Sequence, residues 1–452
     1  MWWTAVEKAV GELLPHLAHH TLAGICCTGQ WSGSIALDHE GQPLSKGLLW
    51  MDSRGASAIQ DLARGKPSIQ GYSLRTLVPW IRKTGGAPGK SGKDSLAHIL
   101  YLRKHHPELY RQAAIFLEPK DYLNYKLTGR YGSSYDTIAL HWVTDNRDIH
   151  RVRYDKALLT QCGLEVEKLP SLYPATHILG PIQTSLAQRW GVSPHTPVFV
   201  GSPDVHAATI GSGAVADYRA HLYLGTSSWI TCHVPRKKTS FRFNMAALPA
   251  GLPGKYFVAN AQESAGICLQ HAHRLLFAQQ SLTAESYAQM EELAHQAPAG
   301  SRDLLYTPWI NGERGPLENH HIRGGFHHLS LRHGPEDMLR AVYEGVAFNS
   351  RWLLHAVESF VGRRLDQIHV IGGGVRSDLW CQIHADVMER TLLRVDMPLH
   401  ANARGAAWIA ALGLGWITPA QMVSPIEREF VPNEAHRGLY RNMAKDFGKL
   451  WR

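Results

Sequence analysis

The sequence has few cysteines, and it lacks the long apolar runs and ligand arrays that define several classes of protein. Six cysteines occur in 452 residues, none in a C-x-x-C pair, so no disulfide framework or thiolate zinc site is indicated. No apolar stretch approaches the ~20 residues that a membrane-spanning helix needs. The 27 histidines form no H-E-x-x-H array with a matching third ligand, and we predict no protein-held metal site. These absences favour a reduced, cytoplasmic protein.

Charge and composition narrow the function classes further. The formal net charge is +9, which favours anionic ligands such as nucleotides, nucleic acid or acidic lipid. The longest basic run covers only 236–238, so we expect no nucleic-acid-binding stripe, and scattered surface Arg and Lys are the explanation of the excess that we favour. Hydrophobic residues make up 44% and charged residues 19%, which excludes a disordered chain and predicts two or three folded domains.

Strand-like and helix-like segments alternate through both halves of the chain. Small and polar residues at 214–220 indicate a hinge, so we predict domains at 1–213 and 221–452. The region 96–127 has a mostly helical pattern. Strands are predicted at 22–28, 198–200, 222–224, 229–234 and 367–371, and helices at 2–14, from 205, at 336–360 and at 378–388. Both halves are therefore expected to be α/β layers.

A carboxylate lies at the end of one predicted strand. The segment G-S-P-D at 201–204 follows the strand 198–200 and precedes a helix. In open α/β sheets ligands gather at this end of the strands, so Asp204 fits a base that accepts a proton from a substrate hydroxyl. Aspartate is also a favoured helix cap, and the segment alone leaves both interpretations open.

Two glycine-containing loops follow strands in the second half. The segment L-G-T-S-S at 224–228 offers small hydroxyl groups and an unobstructed glycine amide to phosphate oxygens, and it also fits a hairpin turn. The segment G-G-G-V-R-S-D at 372–378 joins a strand to a helix. Its three glycines allow the backbone to approach a nucleotide, and the helix N-terminus favours anions. A tight strand–helix turn is the alternative for this loop.

Taken in order, these and other short motifs resemble the FGGY family of carbohydrate kinases, and particularly its xylulose kinase-like members. Each motif is weak alone, whereas the ordered set covers nearly the whole chain. The matching segments are G-Q-W-S-G at 29–33, W-M-D-S-R at 50–54, P-K-D-Y at 119–122, L-T-G at 127–129, G-E-R at 312–314, E-G-V-A at 344–347, G-G-G at 372–374 and G-A-A at 405–407.

The resemblance implies a fold and a reaction. It implies two actin-like, ribonuclease H-like ATPase domains with an interdomain cleft, which transfer the γ-phosphoryl group of ATP to a sugar hydroxyl with Mg²⁺. D-xylulose is the sugar that the family resemblance favours, with D-xylulose 5-phosphate as the product. The implied partners are only the small-molecule sugar and ATP, with no nucleic acid and no membrane, and a homodimer is compatible with the family.

The resemblance also assigns site residues. It implies that Asp204 is the catalytic base and contacts the sugar together with Trp31 and Ser32. It implies nucleotide contacts at five further positions: Thr226, Gly266, Gln270, Gly373 and Ser377. Xylulose kinases often carry Met-His where this chain has Trp31-Ser32, which leaves ribulose and other polyols open as the sugar.

One family motif does not occur near Met1. Family members begin with a strand–turn–strand that carries D-x-G-T, contacts phosphate and helps to hold the metal. We therefore expect a first domain that lacks its opening strands, with the strand at 22–28 left as an unpaired edge. A start site upstream or a truncated relative would account for this, and either way we expect little kinase activity from the 452-residue chain.

Two other classes of function stay open from the sequence. A non-catalytic sugar- or nucleotide-binding relative could retain binding without turnover. An actin- or chaperone-like ATPase would share the fold. The W-x-D-x-R and G-Q-x-x-G segments resemble parts of a sugar site and argue against such an ATPase.

Overall fold

The computed structural model describes residues 1–17, 20–240, 242–243, 245–277 and 281–451. Within these ranges the chain forms two α/β units that meet at residues 212–219, between the last helix of the first unit and the first strand of the second. Each unit has its own apolar core. The α/β prediction for both halves is therefore confirmed.

The first unit combines nine helices with short strands among the described residues. Its helices are α1 (Trp2–Leu13), α2 (Ala56–Ala63), α3 (Leu74–Lys83), α4 (Ser95–His105), α5 (Pro107–Gln112), α6 (Pro119–Thr128), α7 (Lys156–Cys162), α8 (Thr184–Trp190) and α9 (Asp204–Gly211). Its strands are β1 (Ile25–Cys26), β2 (Ile35–Leu37), β3 (Ser68–Ile69), β4 (Tyr72–Ser73), β5 (Ile115–Leu117), β6 (Gly132–Ser134), β7 (Thr144–Asp145), β8 (Arg153–Tyr154), β9 (Ser171–Tyr173), β10 (Ile178–Pro181) and β11 (Pro197–Phe199).

The second unit is built on longer elements. Its strands are β12 (Ala220–Leu224), β13 (Ser228–Val234), β14 (Thr239–Ser240), β15 (Met245–Pro249), β16 (Tyr256–Gln262), β17 (Leu305–Thr307), β18 (Gly325–His327), β19 (Gln367–Ile371), β20 (Thr391–Val395) and β21 (Ile426–Phe430). Its helices are α10 (Gly266–Leu276), α11 (Ala284–Gln296), α12 (Pro335–Val361), α13 (Asp378–Met388), α14 (Ala401–Gly413) and α15 (Arg437–Lys449).

The sheet of the second unit has eight strands in the order β14-β15-β16-β13-β12-β19-β20-β21. Strands β12, β19 and β20 are parallel, and the remaining neighbours are antiparallel. Along β12 the side chains alternate. Leu222 and Leu224 enter the main core against α12, whereas Tyr223 on the other face packs towards α9 and α14. This face of the sheet therefore meets the first unit.

Helices α9 and α14 join the two units through two glycines. A Cβ on Gly211 would overlap the carbonyl oxygen of Ala401, and a Cβ on Gly405 would overlap that of Ala207. The helices can therefore approach to backbone contact only because both positions lack a side chain. The Arg404 Nε donates to the Gly211 carbonyl at 2.7 Å, which satisfies the end of α9. Helix α9, which begins at Asp204, is fixed against the second unit.

Two sequence predictions need correction in the first unit. The mostly helical region 96–127 contains a buried strand, β5, which pairs antiparallel with β2 about 80 residues earlier in the chain. The strand predicted at 22–28 covers only Ile25–Cys26 and is half-buried. It pairs with β11 on one side. Among the residues that the structure describes it has no neighbour on the other side, so it lies at the edge of its sheet, as expected.

In the described part of the chain, no helix combines the length and the apolar character needed to cross a membrane.

Candidate active site

Asp204 lies at the N-terminus of α9, directly after β11, as the sequence predicted. Pro203, not Asp204, is the N-cap residue, so the cap interpretation of Asp204 is wrong. The Oδ1 atom of Asp204 accepts hydrogen bonds from the amides of Val205 at 2.9 Å and Trp31 at 3.2 Å. No hydrogen bond to Oδ2 occurs among the described residues. One oxygen is therefore anchored, and the other is free to accept a proton.

The environment of Asp204 favours its neutral form. Burial raises the pKa of this carboxyl group to about 6, because removing water destabilises the charge. The amides of Val205 and Trp31 oppose that rise by stabilising the carboxylate. A carboxylate with a pKa near neutrality is well suited to exchange a proton with a substrate hydroxyl.

The turn at 29–33 packs directly against Asp204. The amide of Asp204 donates to the carbonyl of Gly29 at 2.8 Å, and the Trp31 indole donates to the Thr137 carbonyl at 3.2 Å. Ser32 is buried, and its hydroxyl donates to the Lys93 carbonyl at 2.6 Å. Trp31 and Ser32 therefore lie beside Asp204, but the Ser32 hydroxyl proton is already committed to the backbone.

A cavity of about 480 Å³ lies in the second unit, a volume typical of small-molecule sites. All five residues that the resemblance assigned to the nucleotide line this one cavity: Thr226, Gly266, Gln270, Gly373 and Ser377. Aromatic, aliphatic and charged side chains complete the wall: Tyr223, Leu269, Tyr287, Tyr343, Trp380, Leu399, Glu291 and Arg376. These surrounding residues come from five helices and strands and two loops, and apart from Arg376 and Trp380 they lie outside the motifs of the sequence.

Two backbone segments that line the cavity pack against each other. The segment 224–228 is the turn of the β12–β13 hairpin, as the hairpin alternative proposed, and the Gly225 amide donates to the Ser227 carbonyl at 3.0 Å. The Gly266 amide, at the start of α10, donates to the Gly225 carbonyl at 2.8 Å. A Cβ on Gly266 would lie 2.7 Å from that carbonyl oxygen, which explains the glycine.

The loop at 372–377 packs beside the hairpin turn, since a Cβ on Gly372 would lie 2.5 Å from the Leu224 carbonyl oxygen. A Cβ on Gly373 would meet no atom within 4 Å, so this residue borders open space. Ser377 caps α13, because its hydroxyl accepts the Trp380 amide at 3.0 Å. The glycine-lined loops, the Thr226 hydroxyl and the flat aromatic wall fit the phosphates and the base of a nucleotide.

The cavity and Asp204 are neighbours. Tyr223 lines the cavity, and the charge of Asp204 contributes to raising the pKa of the Tyr223 hydroxyl, after the larger effect of burial. The carboxylate of the first unit therefore lies within electrostatic reach of the nucleotide-sized cavity of the second.

Charged side chains connect the two units beside this site. Lys93 in the first unit and Glu263 in the second form an ion pair with 3.3 Å between Nζ and Oε1. Arg314 lies 3.6 Å from the same Glu263 oxygen and packs over the Trp50 ring of the first unit. The G-E-R motif indicated Arg314, whereas nothing in the sequence indicated Lys93 or Glu263 because their pairing crosses the units.

The carboxylates and histidines of the site bear on how a divalent cation would be held. No group of three or more His, Cys, Asp or Glu side chains that could hold a metal occurs in the described part of the chain. Mg²⁺ usually binds through one or two carboxylates, waters and the phosphates of a substrate. The residues at the site therefore fit a cation carried by nucleotide phosphates and do not form a cage of their own.

A buried carboxylate in one α/β unit, within electrostatic reach of a nucleotide-sized cavity in the other, is the arrangement expected of a two-domain phosphotransferase. The chain belongs to the FGGY family of carbohydrate kinases, because the model of the family's N-terminal domain matches residues 1–211 and that of its C-terminal domain matches residues 220–414.

Individual proteins agree with this assignment. A xylulose kinase of Staphylococcus epidermidis is 26% identical over 461 residues, with 97% of this chain and 84% of the relative covered. A gluconokinase of Bacillus licheniformis is 25% identical, with coverage of 92% and 80%. The crystal structure of ligand-bound xylulose kinase from Lactobacillus acidophilus superimposes with a TM-score of 0.87 at 23% identity, over 99% of this chain and 87% of that one. The chain is a sugar kinase that uses ATP.

Proposed function

We propose that the chain transfers the γ-phosphoryl group of ATP to a hydroxyl of D-xylulose and releases ADP and D-xylulose 5-phosphate. The observation that carries the proposal is the Asp204 carboxylate, which has a free oxygen and lies beside the nucleotide-sized cavity. The choice of sugar is supported by the similarity to xylulose kinases and rests on 26% identity.

On the sugar side, Asp204 acts as the base. Its free Oδ2 accepts the proton of the acceptor hydroxyl while that oxygen forms a bond to the γ-phosphorus. Trp31 offers a half-buried ring to the sugar and holds Oδ1 through its amide. Ser32 contributes through the shape of the turn, and its hydroxyl oxygen keeps a lone pair for a sugar hydroxyl.

On the nucleotide side, Thr226 and Gly266 contact the phosphates, while Gln270, Gly373 and Ser377 contact the nucleoside. Thr226 lies in the hairpin turn, Gly266 packs against that turn, and all five residues line the same cavity, which supports this division. Mg²⁺ neutralises the phosphate charge when it is bound with ATP. Closure of the cleft excludes water and so limits wasteful hydrolysis of ATP.

A coupled assay of ADP release tests the proposal. We expect ADP release to depend on the sugar and to be fastest with D-xylulose in a panel that includes ribulose, xylitol and gluconate. A higher kcat/KM for another sugar would replace D-xylulose as the substrate and leave the kinase assignment intact. ADP release without sugar would instead indicate an ATPase.

Calorimetry separates the non-catalytic alternative. Binding of sugar and ATP without detectable turnover would show a binding protein that has lost catalysis. The turnover number in the same conditions measures whether the 452-residue chain has the low activity expected from its sequence. A cytoplasmic location and a homodimer stay predictions, and light scattering after size-exclusion chromatography measures the second.

A further inference from the structure

Tyr223 lies where the two glycine loops of the nucleotide cavity come together. A Cβ on Gly225 would overlap the Tyr223 hydroxyl, and a Cβ on Gly372 would lie 3.1 Å from the Cε2 atom of the same ring. Both loops therefore pack against this tyrosine at distances that only glycine allows. The ring forms the part of the cavity wall between the two loops.

The orientation of the ring is fixed from two sides. Tyr223 and Trp229 are cross-strand partners in the β12–β13 hairpin, and their rings stack with centroids 3.8 Å apart and planes 9° apart. The ring also packs against the apolar cluster that contains Ala208. Ala208 lies one helical turn after Asp204 on α9, so the ring and the carboxylate adjoin the same helix face.

The hydroxyl group is available to a ligand. The side chain is half-buried, and its oxygen makes no hydrogen bond to any residue in the described part of the chain. Burial, and secondarily Asp204, raise the pKa of Tyr223, so the group stays a neutral O–H donor at physiological pH. A donor without a protein partner, set between phosphate loops and a base, is well placed to bond an anion.

We propose that Tyr223 is a further catalytic residue, whose hydroxyl donates a hydrogen bond to the phosphate chain of the nucleotide near the γ-phosphoryl group that is transferred. The inference rests on the proposed function, because it needs ATP in the cavity and Asp204 as the base. Tyr223 keeps its proton throughout. As the bond between the γ-phosphorus and the leaving ADP oxygen breaks, negative charge grows at that oxygen, and the hydrogen bond stabilises it more strongly.

The variant Tyr223→Phe removes the hydroxyl and keeps the ring. We expect kcat to fall roughly 10- to 100-fold, the cost of losing one hydrogen bond to a charged group. The affinity for ATP, measured by calorimetry in the absence of sugar, should change less than about threefold, because the bridging oxygen carries little charge before the bond breaks, and the melting temperature should stay unchanged because the ring packing is retained.

Tyr173→Phe is the matched control. Tyr173 is also half-buried and stacked, on His177 at 4.4 Å, in strand β9 and away from the cavity lining. Its variant should keep the wild-type kcat. Wild-type kcat in Tyr223→Phe would overturn the inference, and so would a loss of ATP affinity or melting temperature that matches the loss of kcat.

A parallel assay of Asp204→Asn separates this inference from the proposed function. If Asp204→Asn loses activity while Tyr223→Phe keeps it, only the inference about Tyr223 fails. If Asp204→Asn keeps the wild-type rate, the proposed base is wrong, and the role of Tyr223 that depends on it fails as well.

Discussion

The protonation state of Asp204 sets the pH range in which the enzyme works. Burial raises its pKa to about 6, and only the carboxylate form can accept a proton from the sugar. We therefore predict that kcat/KM is constant above about pH 7 and falls about tenfold per pH unit below pH 6, as expected for one essential base. Initial rates from pH 5 to 9 measure this, and a flat profile down to pH 5 would contradict it.

Because Asp204 is buried, we also predict that its charge lowers the free energy of unfolding of the protein. Its folded pKa of about 6 exceeds the ordinary value of 3.8, so the folded state binds the proton more tightly, and stability falls as pH rises from 4 to 6 and stays lower above it. Asp204→Asn should therefore raise the free energy of unfolding at pH 8 by about 1–3 kcal/mol while lowering kcat by roughly 10²- to 10⁴-fold.

Denaturant melts at pH 8 and pH 4.5 test this second prediction. The gain in stability should shrink at the lower pH, because the wild-type carboxyl group is then protonated in the folded state. An equal gain at both pH values, or a loss of stability at pH 8, would show that the buried charge is not the cause.

Motifs predicted the residues of the site better than they predicted their bonding. The resemblance assigned Asp204 and five nucleotide positions, and those five positions line one cavity, because each belongs to a short segment with a characteristic composition. The commitment of the Ser32 hydroxyl to Lys93 was not predicted, and neither was the place of Tyr223. Both depend on residues that are distant in the chain, and a single sequence carries no local signal for such contacts.

At the scale of elements, the crossing of α9 and α14 holds Asp204 in place. We predict that Gly405→Ala lowers the free energy of unfolding by about 1–3 kcal/mol, because the new Cβ overlaps a backbone carbonyl and the helices must separate. Since α9 carries the base, kcat should fall as well. Thermal melts and initial rates measure both effects.

Gly438→Ala is the control for this helix substitution. Gly438 lies in α15, and a Cβ there would meet no atom within 4 Å. Alanine at that position should be neutral or stabilise the protein by about 0.5–1 kcal/mol through helix propensity. A Gly405→Ala variant that is as stable as Gly438→Ala would mean that close packing of α9 and α14 is not needed.

Elements that rest on local signals were predicted with the correct bounds. The strand at 367–371 and the helix at 378–388 are confirmed, since each has a clear period and a defined boundary in the sequence. Strand β5 was missed within the helical pattern of 96–127. It has only three residues, and its pairing with β2 provides the stabilisation that its own sequence does not indicate.

At the scale of the whole molecule, Glu263 links the units beside the site. Its carboxylate forms an ion pair with Lys93 of the first unit, and its amide donates to the Glu313 carboxylate at 2.9 Å. It lies three residues before Gly266, which lines the cavity. We predict that Glu263→Gln weakens the closed arrangement by about 1 kcal/mol, the scale of a partly exposed ion pair, and so raises the KM for sugar about fivefold.

Steady-state kinetics at two salt concentrations measure this effect. Glu434→Gln is the control. It removes a surface carboxylate that lies 2.5 Å from the guanidinium of Arg437, the first residue of α15, and it should leave KM unchanged. The fivefold difference should diminish at high salt, where the wild-type ion pair is screened. An unchanged KM in Glu263→Gln at low salt would contradict a role for this ion pair in closure. The hinge at 214–220 stays a prediction for the same closure, and the family matches leave residues 212–219 between them.

The most direct test of the account is detection of the transferred phosphoryl group. The 452-residue chain is incubated with γ-labelled ATP, Mg²⁺ and D-xylulose, and the products are separated and identified by mass spectrometry. We predict labelled sugar phosphate from the wild-type chain and a rate lower by at least about 100-fold from Asp204→Asn. Label found only in inorganic phosphate, or sugar phosphate formed equally fast by Asp204→Asn, would contradict the central claim.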